Sequence, residues 1–166
     1  MGRAGTDLQT RHGSDCKVRE VILISTPLEE YRVELIGRLK AKDPDHKVYE
    51  TSLPPADVPH PFYYIEELRA PDNRTSKREI MQEVYHSVSV WHDNPDKTAE
   101  VLKMLALVGE CIRDMERDGT HSYAWMVMDT GMRCLSDNVS GQVGTAVKTK
   151  YVHGIYEIHM KQIGSR

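Results

Sequence analysis

The clearest pattern of apolar and polar positions begins at residue 80. Apolar side chains occupy even-numbered positions, as expected of a strand with one buried face: Ile80, Val84, Val88 and Val90. Polar Gln82 and His86 interrupt this face, and the stretch ends at Trp91-His92. The pattern predicts a half-buried strand over about 80–92.

A helix is predicted directly after this strand. Asn94 is a favourable N-cap, and Pro95 suits the first helical position. Apolar residues then recur at spacings of four and three, which places them on one helical face: Val101, Leu105, Val108, Ile112 and Met115. Gly119 supplies a C-terminal stop, so the helix should span about 95–117.

An earlier helix is predicted over about 27–42. Thr26 is its N-cap, Pro27 suits its first position, and Glu29 completes a capping box. The apolar face consists of Leu28, Tyr31, Leu35, Ile36 and Leu39. Asp43-Pro44 ends the helix, since a residue before proline is disfavoured in the α region.

Shorter apolar stretches predict the remaining strands, at about 48–49, 62–68, 123–130 and 151–160. The stretch 18–24 is either a short strand or part of the first helix. Strands therefore occur in runs between helices. This order favours an α+β fold with an antiparallel or mixed sheet of about four to six strands and two main helices on one face.

Length and composition fit one domain. The chain has 166 residues and is 39% hydrophobic. Residues 1–16 are polar and glycine-rich and predict an N-terminal arm, with a single α+β domain over 17–166. A net charge of -3 gives no global reason to expect nucleic-acid binding. The apolar run 21–24 is too short for a membrane span, so we expect no membrane association and an intracellular protein.

A search for catalytic motifs finds no P-loop, GxGxxG or GxSxG sequence. The three cysteines lack zinc-ligand spacing and are expected to be free thiols. His86 and His92 lie six residues apart on one strand, as do His153 and His159 on another. Such pairs are roughly 20 Å apart, so metal binding would need cross-strand pairing.

A carboxylate cluster is the other candidate for chemistry, formed by Asp93, Asp96 and Asp129. Asp93 and Asp96 flank a helix N-terminus, however, where the helix dipole favours acidic residues for structural reasons. We therefore expect no catalytic residue, no metal and no cofactor. A metal-dependent hydrolase using His86, His92 and an aspartate is the enzymatic alternative.

Two polar segments are longer than turns require and are candidate subunit or partner interfaces. The first is 69–79 and the second is 138–150, which is either a loop or a strand extension that orders on assembly. The candidate interface residues are Arg69, Asp72, Arg74, Lys77, Arg78, Asn138, Gln142, Lys148 and Lys150. Trp91 is either a binding-surface anchor or a half-buried residue at a sheet edge.

Several short motifs, taken in order, resemble phage tail-completion proteins. They are Lys47-Val48-Tyr49, Leu53-Pro54, Pro61–Glu67, the stretch from Thr75 to Trp91, and the helix after Asn94. Asp137–Gly144 and Gly154–Ile158 match the last hairpin of that family more loosely. The resemblance covers roughly residues 26–160, and residues 1–25 have no counterpart in it.

The resemblance implies a tail terminator or head–tail joining protein of a long-tailed phage, without enzymatic activity. Such proteins have an α/β sandwich-like subunit and form a ring, commonly of six subunits, at the head-proximal end of the tail tube. The implied partners are further copies of the chain, the major tail tube protein and the head-connector or stopper protein, with DNA only passing through the lumen. The protein would assemble in the host cytoplasm and reside in the virion tail. A stopper, adaptor or tube protein is the neighbouring alternative.

Overall fold

A computed structural model of the protein describes residues 26–50, 54, 57–66, 68–69, 72–73, 81–139 and 149–165. The elements, in chain order, are α1 (Pro27–Lys42), β1 (Lys47–Glu50), β2 (Phe62–Ile65), β3 (Asp72–Asn73), β4 (Met81–His92), a 3₁₀ turn (Pro95–Lys97), α2 (Thr98–Asp118), β5 (Tyr123–Val139) and β6 (Thr149–Ser165). The predicted N-terminal arm over 1–16 and the stretch 18–24 lie outside the described residues.

The main sheet has five strands in the order β1-β2-β4-β6-β5, and the two-residue β3 pairs with the start of β4. β1 and β2 run parallel, whereas the other neighbours are antiparallel, so the sheet is mixed. This arrangement confirms the predicted α+β class, with two main helices on one face of the sheet.

The first helix has the predicted bounds, and its caps explain them. The Thr26 hydroxyl accepts a hydrogen bond from the Glu29 N–H at 3.2 Å, which satisfies a donor that the helix leaves free. At the other end, the Asp43 N–H donates to the Leu39 carbonyl at 2.9 Å. The Asp43 carboxylate accepts from the Tyr63 hydroxyl at 2.7 Å and so ties the end of α1 to β2.

The second helix begins three residues later than predicted. Asn94 does act as a cap, but its side chain accepts from Asp96 N–H at 2.9 Å and starts a 3₁₀ turn. The α-helix follows at Thr98 and buries the predicted apolar face, together with Met104 and Cys111. Gly119, with a φ of 69°, ends the helix through its N–H bond to the Met115 carbonyl.

One hydrophobic core lies between the helices and the sheet. Tyr31, Leu35 and Leu39 of α1 are fully buried in it. The sheet contributes even-numbered residues: Val84, Val88 and Val90 from β4, and Val152, Ile158 and Met160 from β6. At Gly154, a Cβ atom would lie 2.5 Å from Val101 Cγ1, so α2 approaches the sheet closely there.

The strand bounds correct three predictions. β2 ends at Ile65, not Leu68, although the Glu66 N–H still donates to the Ser87 carbonyl of β4 at 3.0 Å. β5 continues to Val139, not Thr130, and β6 covers 149–165 rather than 151–160. β5 and β6 extend further than predicted because each satisfies the backbone hydrogen bonds of the other, even where the side chains have low β propensity. A bulge between Val127 and Asp129 also interrupts the alternation of apolar and polar residues along β5.

Candidate functional site

The face of the sheet opposite the helices, here called the open face, carries a group of polar and aromatic side chains. The register places these residues on it: Tyr64, Glu66, Tyr85, Ser87, Ser89, Trp91, Asp129, Arg133, His153, Glu157 and His159. Because side chains alternate along each strand, the even positions of β4 and β6 that form the core leave the odd positions for this face.

A depression of about 710 Å³ occupies one end of the open face. Its lining includes Tyr64, Glu66, Arg69, Asp129 and His159. The His159 ring stacks on Tyr85 with centroids 4.0 Å apart, and the Tyr85 hydroxyl donates to Glu83 at 2.8 Å. The depression is shallow and polar, which suits a side chain from a partner better than an enclosed small molecule.

A partly buried polar network adjoins the depression, and Glu66 belongs to both. The Ser89 hydroxyl donates to the Glu66 carboxylate at 2.6 Å, and His153 Nε2 lies 3.0 Å from the Ser89 hydroxyl oxygen. Burial by itself would raise the pKa of Glu66, but hydrogen bonds from Ser87 and Ser89 outweigh it and hold this pKa below its usual value.

This network differs from a serine nucleophile with its base. In such a site the hydroxyl donates to a histidine that an acid orients. Here Ser89 gives its hydrogen to Glu66, and the residue is only 1% exposed. The network therefore joins β2, β4 and β6 and presents no accessible nucleophile.

Trp91 is half-buried, as one of its two interpretations held. Its ring stacks on His153 with centroids 3.8 Å apart and an interplanar angle of 14°. Trp91 does not lie at a sheet edge, however, because β4 is between β2 and β6. Its role as a binding anchor stays a prediction.

The four histidines considered for metal binding point to opposite sides of the sheet. His86 and His92 are buried on the helix face, whereas His153 and His159 lie on the open face. The Tyr31 hydroxyl lies 2.7 Å from His86 Nε2, and burial lowers the pKa of His86 to about 4. No group of three or more metal-ligating side chains occurs among the residues that the structure describes.

The three aspartates of the carboxylate cluster are not brought together. Asp93 and Asp96 follow the end of β4, where His92 pairs with Val152. Asp129 pairs with His159, seven residues further along β6, which is roughly 23 Å. The candidate cluster therefore does not form, because the topology places Asp129 at the other end of the sheet.

The described cysteines are poorly suited to nucleophilic chemistry. Cys111 is buried in the core, and burial raises the pKa of its thiol to about 11. Burial also raises the pKa of the partly buried Cys134. Both are free thiols, as expected, and Cys16 lies outside the described residues.

The β5–β6 hairpin extends beyond the rest of the sheet. β4 ends at His92, opposite Val152, whereas β5 and β6 remain paired from Asp137↔Tyr151 to Val139↔Thr149. We call these six residues, 137–139 and 149–151, the overhang. The polar segment 138–150 is thus a strand extension at both of its ends, and residues 140–148 lie outside the described part.

The candidate interface residues form two separate groups. Asn138 and Lys150 pair with each other in the overhang. Arg69 bridges to Tyr85 and Asp72 pairs with Gln82, so both lie beside the start of β4. The residues of β6 that pair with this part of β4 lie near His159, and His159 is about 30 Å along β6 from Lys150. The remaining five candidates lie outside the described residues: Arg74, Lys77, Arg78, Gln142 and Lys148.

A set of exposed apolar side chains on the hairpin was not predicted from the sequence. Their exposed fractions are 37% for Met126, 46% for Met128, 55% for Met132, 43% for Leu135 and 50% for Ile163. The methionine-rich stretch 126–132 is the signal that would have found them, since methionine is common at adaptable binding surfaces.

No protein-family model matches the chain, and a search of curated proteins finds no match either. Within the described ranges, no helix is long and apolar enough to span a membrane.

Proposed function

We propose that the chain is a structural virion protein that caps the head-proximal end of a phage tail tube as a ring and joins the tail to the head connector. The observation that carries the proposal is the overhang. Paired strands that project beyond their sheet offer backbone that a neighbouring subunit can contact, and a closed ring requires such head-to-tail contacts.

The separation of the two candidate groups also supports this function. A cap between a tail tube and a head connector needs different contact surfaces at its two ends. Arg69 and Asp72 lie at the start of β4, far from the overhang proposed for ring contacts, so a surface for a tube or connector can be separate from the contact between subunits. The order of sequence motifs shared with tail-completion proteins supplies the phage setting.

The proposed partners follow from this position. Copies of the chain form the ring, which commonly has six subunits in the family that the sequence resembles. The major tail tube protein lies on one side and the head-connector or stopper protein on the other, while DNA passes through the lumen. A net charge of -3 is compatible with a lumen that does not hold DNA tightly.

The test is co-assembly with purified tail tubes and connectors, followed by negative-stain imaging and mass measurement. We expect rings at one end of each tube, and the variant Lys150→Glu should reduce ring formation. Lys40→Glu makes the same change in charge on an exposed position of α1 and serves as the control.

Two outcomes would reject the proposal. One is a protein that binds neither tubes nor connectors and forms no ring with them. The other is phage particles that, when made without this protein, have tails of normal length attached to heads. Rings that associate with connectors alone would instead assign the protein to the stopper or adaptor position.

A further inference from the structure

The outer edge of β5 is the longest strand edge in the described part of the chain with no described strand beside it. β5 has 17 residues and is the last strand of the sheet, with β6 on one side and no described strand on the other. Strands usually have 3–10 residues, so an edge of about 55 Å is unusual. The Tyr123 backbone bonds to Thr120, and the Val127 N–H donates to the Glu116 carboxylate at 3.0 Å. From Asp129 onward the edge offers its N–H and C=O groups to another strand.

The edge lacks most of the features that normally prevent an edge strand from pairing with a strand of another chain. β5 contains no proline and no lysine, and its charged residues are Asp129, Arg133 and Asp137. Between and beside these charges lie exposed apolar side chains, namely Met126, Met132 and Leu135. The bulge at Met128 is the single irregularity in its middle part.

The charges are arranged symmetrically about Gly131, which is also the midpoint of β5. Asp129 lies two residues before it and Arg133 two residues after it, and both are on the open face. If two copies of β5 pair antiparallel about Gly131, Asp129 of each copy lies opposite Arg133 of the other. Opposite charges in directly facing positions stabilise a strand pair, whereas like charges destabilise it.

The apolar residues match in the same register. Met128 is the extra residue of the bulge, so Met126 occupies the fourth paired position before Gly131. Leu135 is the fourth position after it, and both side chains lie on the open face. Met126 of one copy therefore faces Leu135 of the other, which would cover two side chains that are 37% and 43% exposed.

We propose that the free protein forms a twofold dimer in which the β5 edges of two copies pair antiparallel about Gly131, joining two sheets into one. The occupant of the edge is a second copy of this chain because the charge pattern is complementary to itself. The contact is distinct from the head-to-tail contacts of a ring, so the proposal is independent of the proposed function. Its failure would leave the tail-cap proposal unchanged.

A disulfide test examines the register directly. In a background with Cys16→Ser and Cys134→Ser, Gly131→Cys places two thiols in directly facing positions. A Cβ at Gly131 lies 3.2 Å from the Glu157 carboxylate oxygen, the movable end of a flexible side chain, so the substitution should be tolerated. We expect nearly complete covalent dimer on mild oxidation. Met126→Cys is the control, because its two copies would be roughly 25 Å apart.

A charge test examines the same contact without cross-linking. Asp129→Lys would face Arg133 of the other copy at both ends of the twofold pair, and we expect dimer dissociation to be about tenfold easier. Asp45→Lys makes the same charge change on an exposed residue beside β1, at the other side of the sheet, and should leave the dimer unchanged. Light scattering over a range of concentrations measures both, with circular dichroism to verify folding.

Three results would overturn the proposal. The first is a monomeric mass for the full chain at every concentration tested. The second is cross-linking of Met126→Cys as readily as Gly131→Cys. The third is a monomeric full chain that dimerises only after residues 1–25 are removed, since the edge would then be covered within one chain.

Discussion

The two faces of the sheet are stabilised in different ways, although they are formed by alternate residues of the same strands. The helix face is a close-packed set of aliphatic side chains under α1 and α2, with fully buried residues such as Val84, Leu105 and Met160. The open face carries stacked rings and ion pairs, such as Trp91 on His153 and Arg133 with Glu157 at 2.8 Å.

This difference indicates that the helix face stabilises the fold and that the open face is available for contacts. Burial of apolar area in a dense core is the main stabilising term, and a misfit there has few ways to relax. Exposed ion pairs contribute little to the free energy of unfolding, so the open face and the hairpin edge can vary in response to a partner. The predictions below test this division.

The largest effect is expected where α2 touches the sheet. In Gly154→Val, the new side chain would overlap Val101 and Leu105, since even a Cβ lies 2.5 Å and 2.7 Å from their nearest atoms. We expect the free energy of unfolding to fall by about 3 kcal/mol or more, as is seen when a core is overpacked. Urea denaturation measures it.

The matched control is Gly164→Val, in the same strand, where nothing lies within 4 Å of the added Cβ. It should change stability by less than about 0.5 kcal/mol. Equal losses at both positions would mean that α2 does not pack against Gly154 as described.

The next effect is a pH dependence from the one buried histidine that contacts Tyr31. Burial lowers the pKa of His86 to about 4 from its ordinary value of 6.5. Between pH 6.5 and pH 4, the His86 imidazole is protonated in the unfolded chain but neutral in the folded chain. The contribution of His86 to the free energy of unfolding is therefore fully present above pH 6.5. It is lost as the pH falls toward 4, by up to about 3 kcal/mol.

Denaturation at a series of pH values, compared with His86→Gln, isolates this contribution. Glutamine keeps a polar partner for the Tyr31 hydroxyl but does not titrate, so its stability should fall less between pH 6.5 and 4. The exposed His121→Gln is the control and should follow the unmodified protein. Parallel curves for all three would show that His86 is protonated equally in both states.

A smaller effect is expected on the open face. Ser89→Ala removes the hydroxyl that donates to Glu66 at 2.6 Å, and hydrogen bonds to charged groups contribute about 1.5 to 3 kcal/mol. Glu66 keeps its bond from Ser87, so a loss of about 1.5 kcal/mol is expected in thermal or urea unfolding. Ser165→Ala, at the exposed end of β6, should have no measurable effect. A loss near zero for Ser89→Ala would show that solvent replaces the bond.

Local patterns were sufficient to predict both helices and the central strand. Thr26 with Pro27, Asn94 with Pro95, and Gly119 act through neighbouring backbone groups, so their effect is readable from residues a few positions apart. The apolar faces of α1, α2 and β4 were readable because their periods are those of the elements themselves.

The hairpin was less predictable because its length depends on pairing. Asp137-Asn138 has low β propensity, yet the pairing with β6 keeps it extended. The bulge at Met128 also breaks the alternation that would have revealed one continuous strand. Four of the nine candidate interface residues, Arg69, Asp72, Asn138 and Lys150, have described backbone positions, and their role in contacts stays a prediction.

The sequence by itself determined the bounds of α1, the C-terminal stop of α2, which residues of β4 face the core, and that the fold is α+β, because each depends on short-range backbone and periodic effects. Only the tertiary structure decided the strand order, the opposite orientation of the two histidine pairs, and the separation of Asp129 from Asp93. These depend on which distant strands pair and in which register, and that choice is made by the packing of the whole core.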